Sequence, residues 1–199
     1  MSGRRLPLRT ELVLPDWFAD VEVPESSDGD EARMAFVVDL ARRNVEHGTG
    51  GPFSSAVFSL EEGALVSVGV NLVEPSLAAI AHAEIVAIAL AGRALGSFDC
   101  GARGPTELVA STEPCAMCLG AVPWSGVERL VCGASDADAR AVGFDEGNKP
   151  AGWERLLEKQ GIEVVTGVLR DLSVSVLTDY AAGGGTIYNS GTAEGVRGA

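Results

Sequence analysis

The stretch TELVASTEPCAMCLGAVPWSGVERLVCGA, residues 106–134, decides the fold of this 199-residue chain. It begins with a strand of alternating apolar and polar character at 106–112 and continues into a helix that starts at two cysteines three residues apart. A further apolar strand follows at 128–134. Strands that alternate with helices in this way are typical of an α/β protein.

The segments on either side extend the alternation. A helix is predicted from Asp30, as its N-cap, through Arg43, and two strands around Glu61-Glu62-Gly63 form a β-hairpin. The apolar run HAEIVAIALAGRAL (82–95) predicts a buried helix. A helix and short strand at 152–167 and a last helix at 170–180 complete a three-layer α/β/α domain on a mixed sheet. We expect a lead-in at 1–29, one main domain at 30–182, and a tail at 183–199 that folds over the functional site of that domain.

Charge and composition exclude several classes of partner. The net charge is −13, so a polyanion such as tRNA or DNA would be repelled, and a small neutral substrate is favoured. No apolar run approaches the roughly 18 residues that span a bilayer, so no membrane partner is expected. The N-terminus lacks the apolar core of a secretory signal, which predicts a cytoplasmic protein. Four cysteines in such a compartment do not indicate a disulfide framework.

Cys115 and Cys118 allow three interpretations when taken alone. Their spacing places both thiols on one side of a helix start, where the helix dipole favours the thiolate that binds metals. The pair is half of a zinc site, a redox pair, or two apolar neighbours. A thioredoxin-like redox protein does not fit the hairpin-first order of elements.

His82 and Glu84 change this balance in favour of a metal. One histidine and two cysteines leave the fourth position of a tetrahedral Zn²⁺ ion open to water, which is typical of a catalytic zinc site. Glu84 is then placed to accept the proton of that water. The joint pattern H-x-E and P-C-x-x-C is the signature of zinc deaminases. We interpret Cys100 and Cys132 as structural residues and His47 as a helix-end residue.

These motifs resemble the cytidine/deoxycytidylate deaminase superfamily over roughly residues 30–180. The resemblance rests on GGPFSSAV (50–57), Asn71 after the second strand, HAEI (82–85) and EPCAMCLGAVPWSGVERLVCG (113–133). It implies a mixed five-stranded sheet between helices. It also implies zinc held by His82, Cys115 and Cys118, with Glu84 as the proton shuttle.

Within the superfamily the chain is most similar to bacterial guanine deaminases, through PWSGVERLVCG (123–133), AVGFDEG (141–147) and TIYN (186–189). The segment EPSLAAIA before His82 is longer and more apolar than the family pattern. The resemblance implies a homodimer and a nucleobase substrate. The residues that it places around the base are Phe53, Trp124, Asn71, Ala83, Glu146 and Tyr188. Phe53 and Trp124 would stack on the purine, Asn71 would hydrogen-bond it, Glu146 would be a second acid, and Tyr188 would close the site.

The functional hypothesis is hydrolytic deamination of guanine to xanthine and ammonia. Other bases and nucleosides remain alternatives: cytosine, cytidine, guanosine and an amino-triazine. A tRNA adenosine deaminase shares the motifs but fits the acidic charge less well. An inactive zinc-binding module is the alternative from another class.

Overall fold

The computed structural model describes residues 6–23 and 29–189. A short 3-10 helix at Asp16–Asp20 lies in the lead-in. Seven α-helices and five β-strands follow within the described residues. Their bounds are α1 Asp30–Glu46, β1 Ser54–Ser59, β2 Leu65–Val70, α2 Val73–Ser76, α3 Ala83–Leu95, β3 Thr106–Thr112, α4 Ala116–Ser125, β4 Arg129–Ala134, α5 Asp136–Ala141, α6 Trp153–Glu158, β5 Glu163–Val165 and α7 Arg170–Ala182.

The strands form one mixed sheet in the order β2-β1-β3-β4-β5. Strand β1 pairs antiparallel with β2 and with β3, and Val57 faces Leu108 in the second pair. Strands β3, β4 and β5 run parallel, with Leu108 opposite Leu130. The mixed five-stranded sheet implied by the resemblance is therefore confirmed.

Helices cover both faces of this sheet and complete the α/β/α layering. Helices α1 and α7 bring Met34, Val37 and Val176 onto one face, where they pack with Phe58 and Val131. On the other face, residues of α3, α4 and α6 pack against the opposite side chains of β3 and β4. All seven residues of β3 are buried, because both of its faces are covered. The alternating character expected for this strand is wrong for that reason.

Two helix predictions need correction. Helix α1 is capped by Gly29, and Asp30 is its first residue, with a carboxylate that accepts hydrogen bonds from Arg129 and not from the helix backbone. The helix also runs to Glu46, beyond the predicted Arg43. Helix α3 is less buried than its apolar sequence suggests, since it packs one face on β1 and β2 and exposes Ala89.

A buried ion network joins the amino ends of the parallel strands. Glu107 on β3 is fully buried, and its two oxygens accept from Arg33 at 2.5 Å and from Arg129 at 2.7 Å. Arg129 on β4 also contacts Asp30 of α1 at 2.7 Å. Because a buried carboxylate is costly unless it is paired, these contacts fix how α1 crosses the sheet.

The described part of the lead-in packs on the domain. Leu12, Leu14, Trp17 and Phe18 contact the cluster that contains Leu40 and Val70. The Trp17 Nε1 group donates a 3.0 Å hydrogen bond to Thr49 Oγ1. Residues 1–5, 24–28 and 190–199, which belong to the predicted lead-in and tail, lie outside the described residues. Within the described ranges, no helix has the length and apolarity needed to cross a bilayer.

Candidate active site

Two helix starts meet at the centre of the site. His82 is the N-cap of α3, and Cys115 is the N-cap of α4, which follows directly from β3. Cys118 lies one turn into α4 and is fully buried. The predicted ligands are thus brought together by the junctions β2–α3 and β3–α4, from positions 33 residues apart in the chain.

The three side chains fit a tetrahedral metal ion. The ligand atoms of His82, Cys115 and Cys118 all lie within 4.8 Å of one another, and Cys115 Sγ is 3.5 Å from His82 Nδ1. Zinc bonds of about 2.3 Å to sulfur and about 2.0 Å to nitrogen, at a tetrahedral angle, separate those two atoms by about 3.5 Å. Two thiolates and one imidazole are also a donor set that binds zinc in preference to harder cations.

The electrostatics of the two thiols favour a bound cation. Hydrogen bonding from Cys118, followed by that from His82, lowers the pKa of Cys115 to about 4 against the opposing effect of burial. The same hydrogen bond to Cys115 and burial raise the pKa of Cys118. One proton is thus shared between the sulfur atoms, because two buried thiolates would repel each other. A divalent cation removes this conflict and allows both cysteines to bind as thiolates.

Two carboxyl groups share this buried region. Glu84, in the first turn of α3, is 8% exposed, and Glu146, on the loop after α5, is 6% exposed. Burial, and then the negative charge of Cys115, raises the pKa of Glu84. The same two causes raise the pKa of Glu146 to about 8. Carboxyl groups with raised pKa values are suited to exchange protons near neutral pH.

His82 carries a raised pKa as well. Burial lowers this pKa, but the hydrogen bond with Cys115 and the negative charge of Glu84 together outweigh burial. A metal ligand must be neutral imidazole, so a bound cation would displace the extra proton.

A cavity of about 420 Å³ opens beside these groups. This volume lies within the range of small-molecule sites. Among the described residues, its lining carries the carboxyl groups of Glu84, Glu113, Asp145 and Glu146 and no lysine or arginine. Because the described lining offers no lysine or arginine to a phosphate, the cavity suits a neutral or amine-bearing ligand better than a phosphate ester.

Aromatic rings form the apolar part of the cavity. Phe53 and Phe144 meet edge to face, with ring centroids 4.8 Å apart, and Tyr188 lies 5.3 Å from Phe144. All three rings line the cavity. The expected roles of Phe53 and Tyr188 beside the substrate stay predictions, although the structure places both rings there.

Three buried polar atoms of the lining lack a hydrogen-bond partner within the described structure: Asn71 Nδ2, Thr112 Oγ1 and Tyr188 OH. The Asn71 Oδ1 atom accepts from Val73 N, which fixes the orientation of the amide. A buried polar group without a partner is unfavourable, so these atoms indicate a polar ligand in the cavity.

Trp124 is absent from the described lining of this cavity, so its predicted stacking on the substrate has no support from the single chain and stays a prediction. The buried face of α4 carries Cys118, Leu119 and Val122. Two further residues rotate the helix by about 200°, so Trp124 points away from the core and is 87% exposed. Ala83 is buried beside His82 and is absent from the described lining, so its substrate contact stays a prediction.

Sequence reasoning missed several lining residues. Phe144 lies within the quoted AVGFDEG segment and Asn189 within TIYN, yet neither was singled out. Thr112 ends β3 directly before the cysteine turn, where a strand end facing a helix start is a usable signal. Glu113 lies two residues before Cys115, and Met117 lies between the two cysteines; both also line the cavity.

Comparison with known proteins supports the chemistry of the motifs. The pattern of the cytidine and deoxycytidylate deaminase zinc-binding region matches residues 27–134. The chain belongs to the cytidine and deoxycytidylate deaminase family. Its zinc-binding region covers β1 to β4, and so includes all three candidate metal ligands and Glu84.

Among members of this family, guanine deaminase of Bacillus subtilis is 38% identical over 119 residues, which cover 58% of this chain and 71% of that protein. The tRNA-specific adenosine deaminase of the same organism is 36% identical over 122 residues and covers 59% and 69% of the two chains. The solved structure of guanine deaminase from Nitrosomonas europaea has a TM-score of 0.83 at 42% identity, covering 90% of this chain and all of that one. A structure of the protein NE0047 with 2,6-diaminopurine has a TM-score of 0.83 at 45% identity and covers 90% and 96% of the chains.

Proposed function

We propose that this chain is a zinc-dependent guanine deaminase, which converts guanine and water to xanthine and ammonia. One observation carries the proposal: two residues of a three-ligand metal set, His82 and Cys115, line the same cavity as two buried carboxyl groups. The similarity to guanine deaminases of two organisms supports the choice of substrate. His82, Cys115 and Cys118 would hold the ion.

The protein side chains divide the proton transfers between them. Zinc, when bound to this ligand set, lowers the pKa of a water molecule to about 7. Glu84 accepts a proton as the water oxygen bonds to C2 of guanine, and delivers it to ring nitrogen N3. The second proton of that water goes to the exocyclic amine, through Glu84 or Glu146, as the C2–N bond breaks. Both protons are thus accounted for: one stays on N3 of xanthine and one leaves with ammonia.

Glu146 fits the role of acid at the amine. Its raised pKa, about 8, keeps it protonated at neutral pH in the metal-free protein. A protonated carboxyl group near a leaving amine donates a proton where a carboxylate would only accept one. Asn71 and the rings of Phe53 and Tyr188 would then orient the base.

The lining favours a free base over a nucleotide. A 5′-phosphate in the cavity would find no lysine or arginine among the described lining residues to balance its charge. The same argument, with the net charge of −13, disfavours the tRNA substrate named for the adenosine deaminase relatives. Guanine is uncharged at neutral pH and meets no such repulsion.

The proposal is tested by ammonia release from a panel of guanine, guanosine, GMP, cytosine, cytidine, adenine and an amino-triazine, with tRNA included. We expect guanine to be the preferred substrate and GMP to be inactive. Replacing Glu84→Gln should lower kcat by about 10²–10⁴-fold, because it removes the proton acceptor and keeps the side-chain shape. Glu146→Gln should lower kcat by a smaller factor if Glu84 partly replaces it.

Two controls keep this test specific. Zinc content per chain should be unchanged in both variants, since neither residue is a ligand. Glu62→Gln, an exposed glutamate in the hairpin turn, should keep full activity. Full activity of Glu84→Gln would contradict the mechanism. A chain that holds zinc and releases no ammonia from any panel member would contradict the enzyme and favour a binding module.

A further inference from the structure

Hydrogen bonds hold both ends of the loop that carries Glu146. Phe144 N donates to Ala139 O at 3.1 Å, where the loop leaves α5. Ala116 N, in the first turn of α4, donates to the carbonyl of Glu146 itself at 2.9 Å. Arg140 donates to the carbonyl of Gly147 at 2.6 Å. These contacts hold the end of α5, Glu146 and Gly147.

Residues 143–145 are also held from the tail by the side chain of Asn189, in addition to the contact of Arg140 with Asp145 Oδ1 at 3.4 Å. Asn189 Nδ2 donates to Gly143 O at 2.8 Å, and Asn189 Oδ1 accepts from Asp145 N at 2.8 Å. The amide therefore bridges the carbonyl of one residue and the N–H of the second residue along. Asparagine is suited to this because one planar group offers both a donor and an acceptor.

The tail also contributes Tyr188 to the aromatic side of the cavity, next to Phe144. Tyr188, directly before Asn189, packs on Phe144, which lies between the two backbone groups that Asn189 holds. Upstream, Tyr180 OH donates to Thr186 O at 2.9 Å and ties the tail to α7. Within the described part of the tail, Asn189 thus makes a direct polar contact with the residue preceding Glu146.

We propose that Asn189 is a positioning residue for the deamination: its two hydrogen bonds hold the Glu146 loop and Tyr188 in register with the metal ligands. This inference rests on the proposed function. The conformation of the Glu146 loop then depends on a residue that lies 44 positions after Asp145 in the chain. Asn189 acts through Glu146 and Tyr188, while the proton transfers belong to the carboxyl groups.

The test compares three variants in the full-length, zinc-loaded protein. Asn189→Ala removes both hydrogen bonds and should lower kcat on guanine by about ten-fold, with an increase in KM as Tyr188 loses its fixed position. Asn189→Asp keeps the acceptor for Asp145 N and loses the donor, so its kcat should lie between those of Asn189→Ala and the unchanged protein. Thr186→Ala is the matched control, because this exposed tail residue contributes only its backbone carbonyl to Tyr180.

Coupling to Glu146 separates positioning from a general loss of stability. In the Glu146→Gln background, Asn189→Ala should change kcat by less than two-fold, since the group that it positions is already removed. Hydrogen exchange at the Asp145 amide should accelerate in Asn189→Ala and stay unchanged in Thr186→Ala. A full ten-fold effect in the Glu146→Gln background, or equal kcat of Asn189→Ala and the unchanged protein, would overturn the inference.

Failure of the proposed function gives a different result. If the protein without substitutions shows no activity on guanine, the proposed function is contradicted. Hydrogen exchange at the Asp145 amide then decides the inference by itself. Faster exchange at Asp145 in Asn189→Ala supports the positioning contact. Unchanged exchange overturns it.

Discussion

The amide of Asn71 is divided between the fold and the cavity. Its oxygen accepts from Val73 N at 3.2 Å and so fixes the turn after β2. Its Nδ2 atom is buried in the cavity lining without a partner in the described structure. The amide oxygen of Asn71 therefore has a structural role, and its amide nitrogen is available to a ligand.

Replacing Asn71 should therefore reduce substrate binding more than stability. We expect Asn71→Asp, which keeps the oxygen for Val73 N, to raise KM for guanine by about ten-fold through loss of one donor. Steady-state ammonia release and thermal unfolding measure the two effects. Asn148→Ala, an exposed amide on the Glu146 loop, is the control. An unchanged KM in Asn71→Asp would contradict a contact between this donor and the substrate.

Single residues were predictable where local spacing carries the information. The positions of His82, Glu84, Cys115 and Cys118 follow from two helix starts, and a helix start fixes which side chains share a face. The position of Trp124 outside the described cavity lining was not predicted, because resemblance gives a residue's identity without its direction. The rotation of α4 that buries Cys118 necessarily turns Trp124 outward.

At the scale of elements, α3 lies unusually close to the hairpin. Gly69 of β2 faces the first turns of α3, and a Cβ atom there would meet Ala87 N at 2.5 Å and the carbonyl of Ala83 even closer. The backbone itself is the obstacle, so a side chain could not be accommodated by rotation alone. The absence of a Cβ at Gly69 thus allows His82 and Glu84 to reach the cysteines.

Gly69→Ala should displace the start of α3 from the sheet. We expect a loss of about 1–3 kcal/mol in the free energy of unfolding, and a lower affinity for zinc, because His82 moves with the helix. Chemical denaturation and metal titration measure these changes. Gly120→Ala, on the open side of α4 where a Cβ meets nothing within 4 Å, should be neutral or slightly stabilising. Equal zinc affinity in Gly69→Ala and the unchanged protein would contradict this reasoning.

The longer elements were predicted, as were the short α6 and β5, whereas the short helices α2 and α5 were missed. Helices α1, α3, α4 and α7 and the strands of the hairpin have enough residues to show a hydrophobic period. Helix α5 has six residues and too little periodicity, although the capping box of Ser135 and Asp138 is a local signal for it. Helix α2 is four residues long and depends on the turn after β2.

The whole molecule places its ionic groups in two regions with opposite effects on stability. Hydrogen bonding to Arg129 lowers the pKa of Asp30 at the amino edge of the sheet. Arg140 and Lys149 lower the pKa of Asp136 against the opposing effect of burial. In the site, burial raises the pKa of Glu84 and brings that of Glu146 to about 8.

These shifts predict a maximum of stability near pH 4–5 for the metal-free protein. Below that range the unfolded chain binds more protons at Asp30 and Asp136 than the folded one, so stability falls as pH decreases. Above it the folded chain keeps protons on Glu84 and Glu146 that the unfolded chain releases, so these two groups lower stability as pH rises from the ordinary glutamate pKa of 4.5 towards 8. Cys115, with its pKa lowered to about 4, opposes them with one proton and makes this fall shallower. Urea unfolding of chelator-treated protein between pH 3 and 9 measures this profile.

Two variants assign the limbs of the profile. Asp30→Asn should reduce the slope below pH 4, where Asp136 still contributes, and Glu146→Gln should reduce the slope above pH 5, where Glu84 still contributes, each without changing the other slope. A profile that rises steadily from pH 4 to pH 8 in metal-free protein would contradict the assignment.

The homodimer and the cytoplasmic location stay predictions, and light scattering decides the first of them.

The sequence by itself determined the α/β/α class, the helix starts and the identities of His82, Glu84, Cys115 and Cys118, because these depend on spacing within a few residues. Only the tertiary structure decided that Thr112, Phe144 and Asn189 reach the cavity and that Trp124 does not. Asn189 meets Asp145 across 44 residues of chain. No local period encodes such a contact, since it exists only after α5, α7 and the tail have packed against the same end of the sheet.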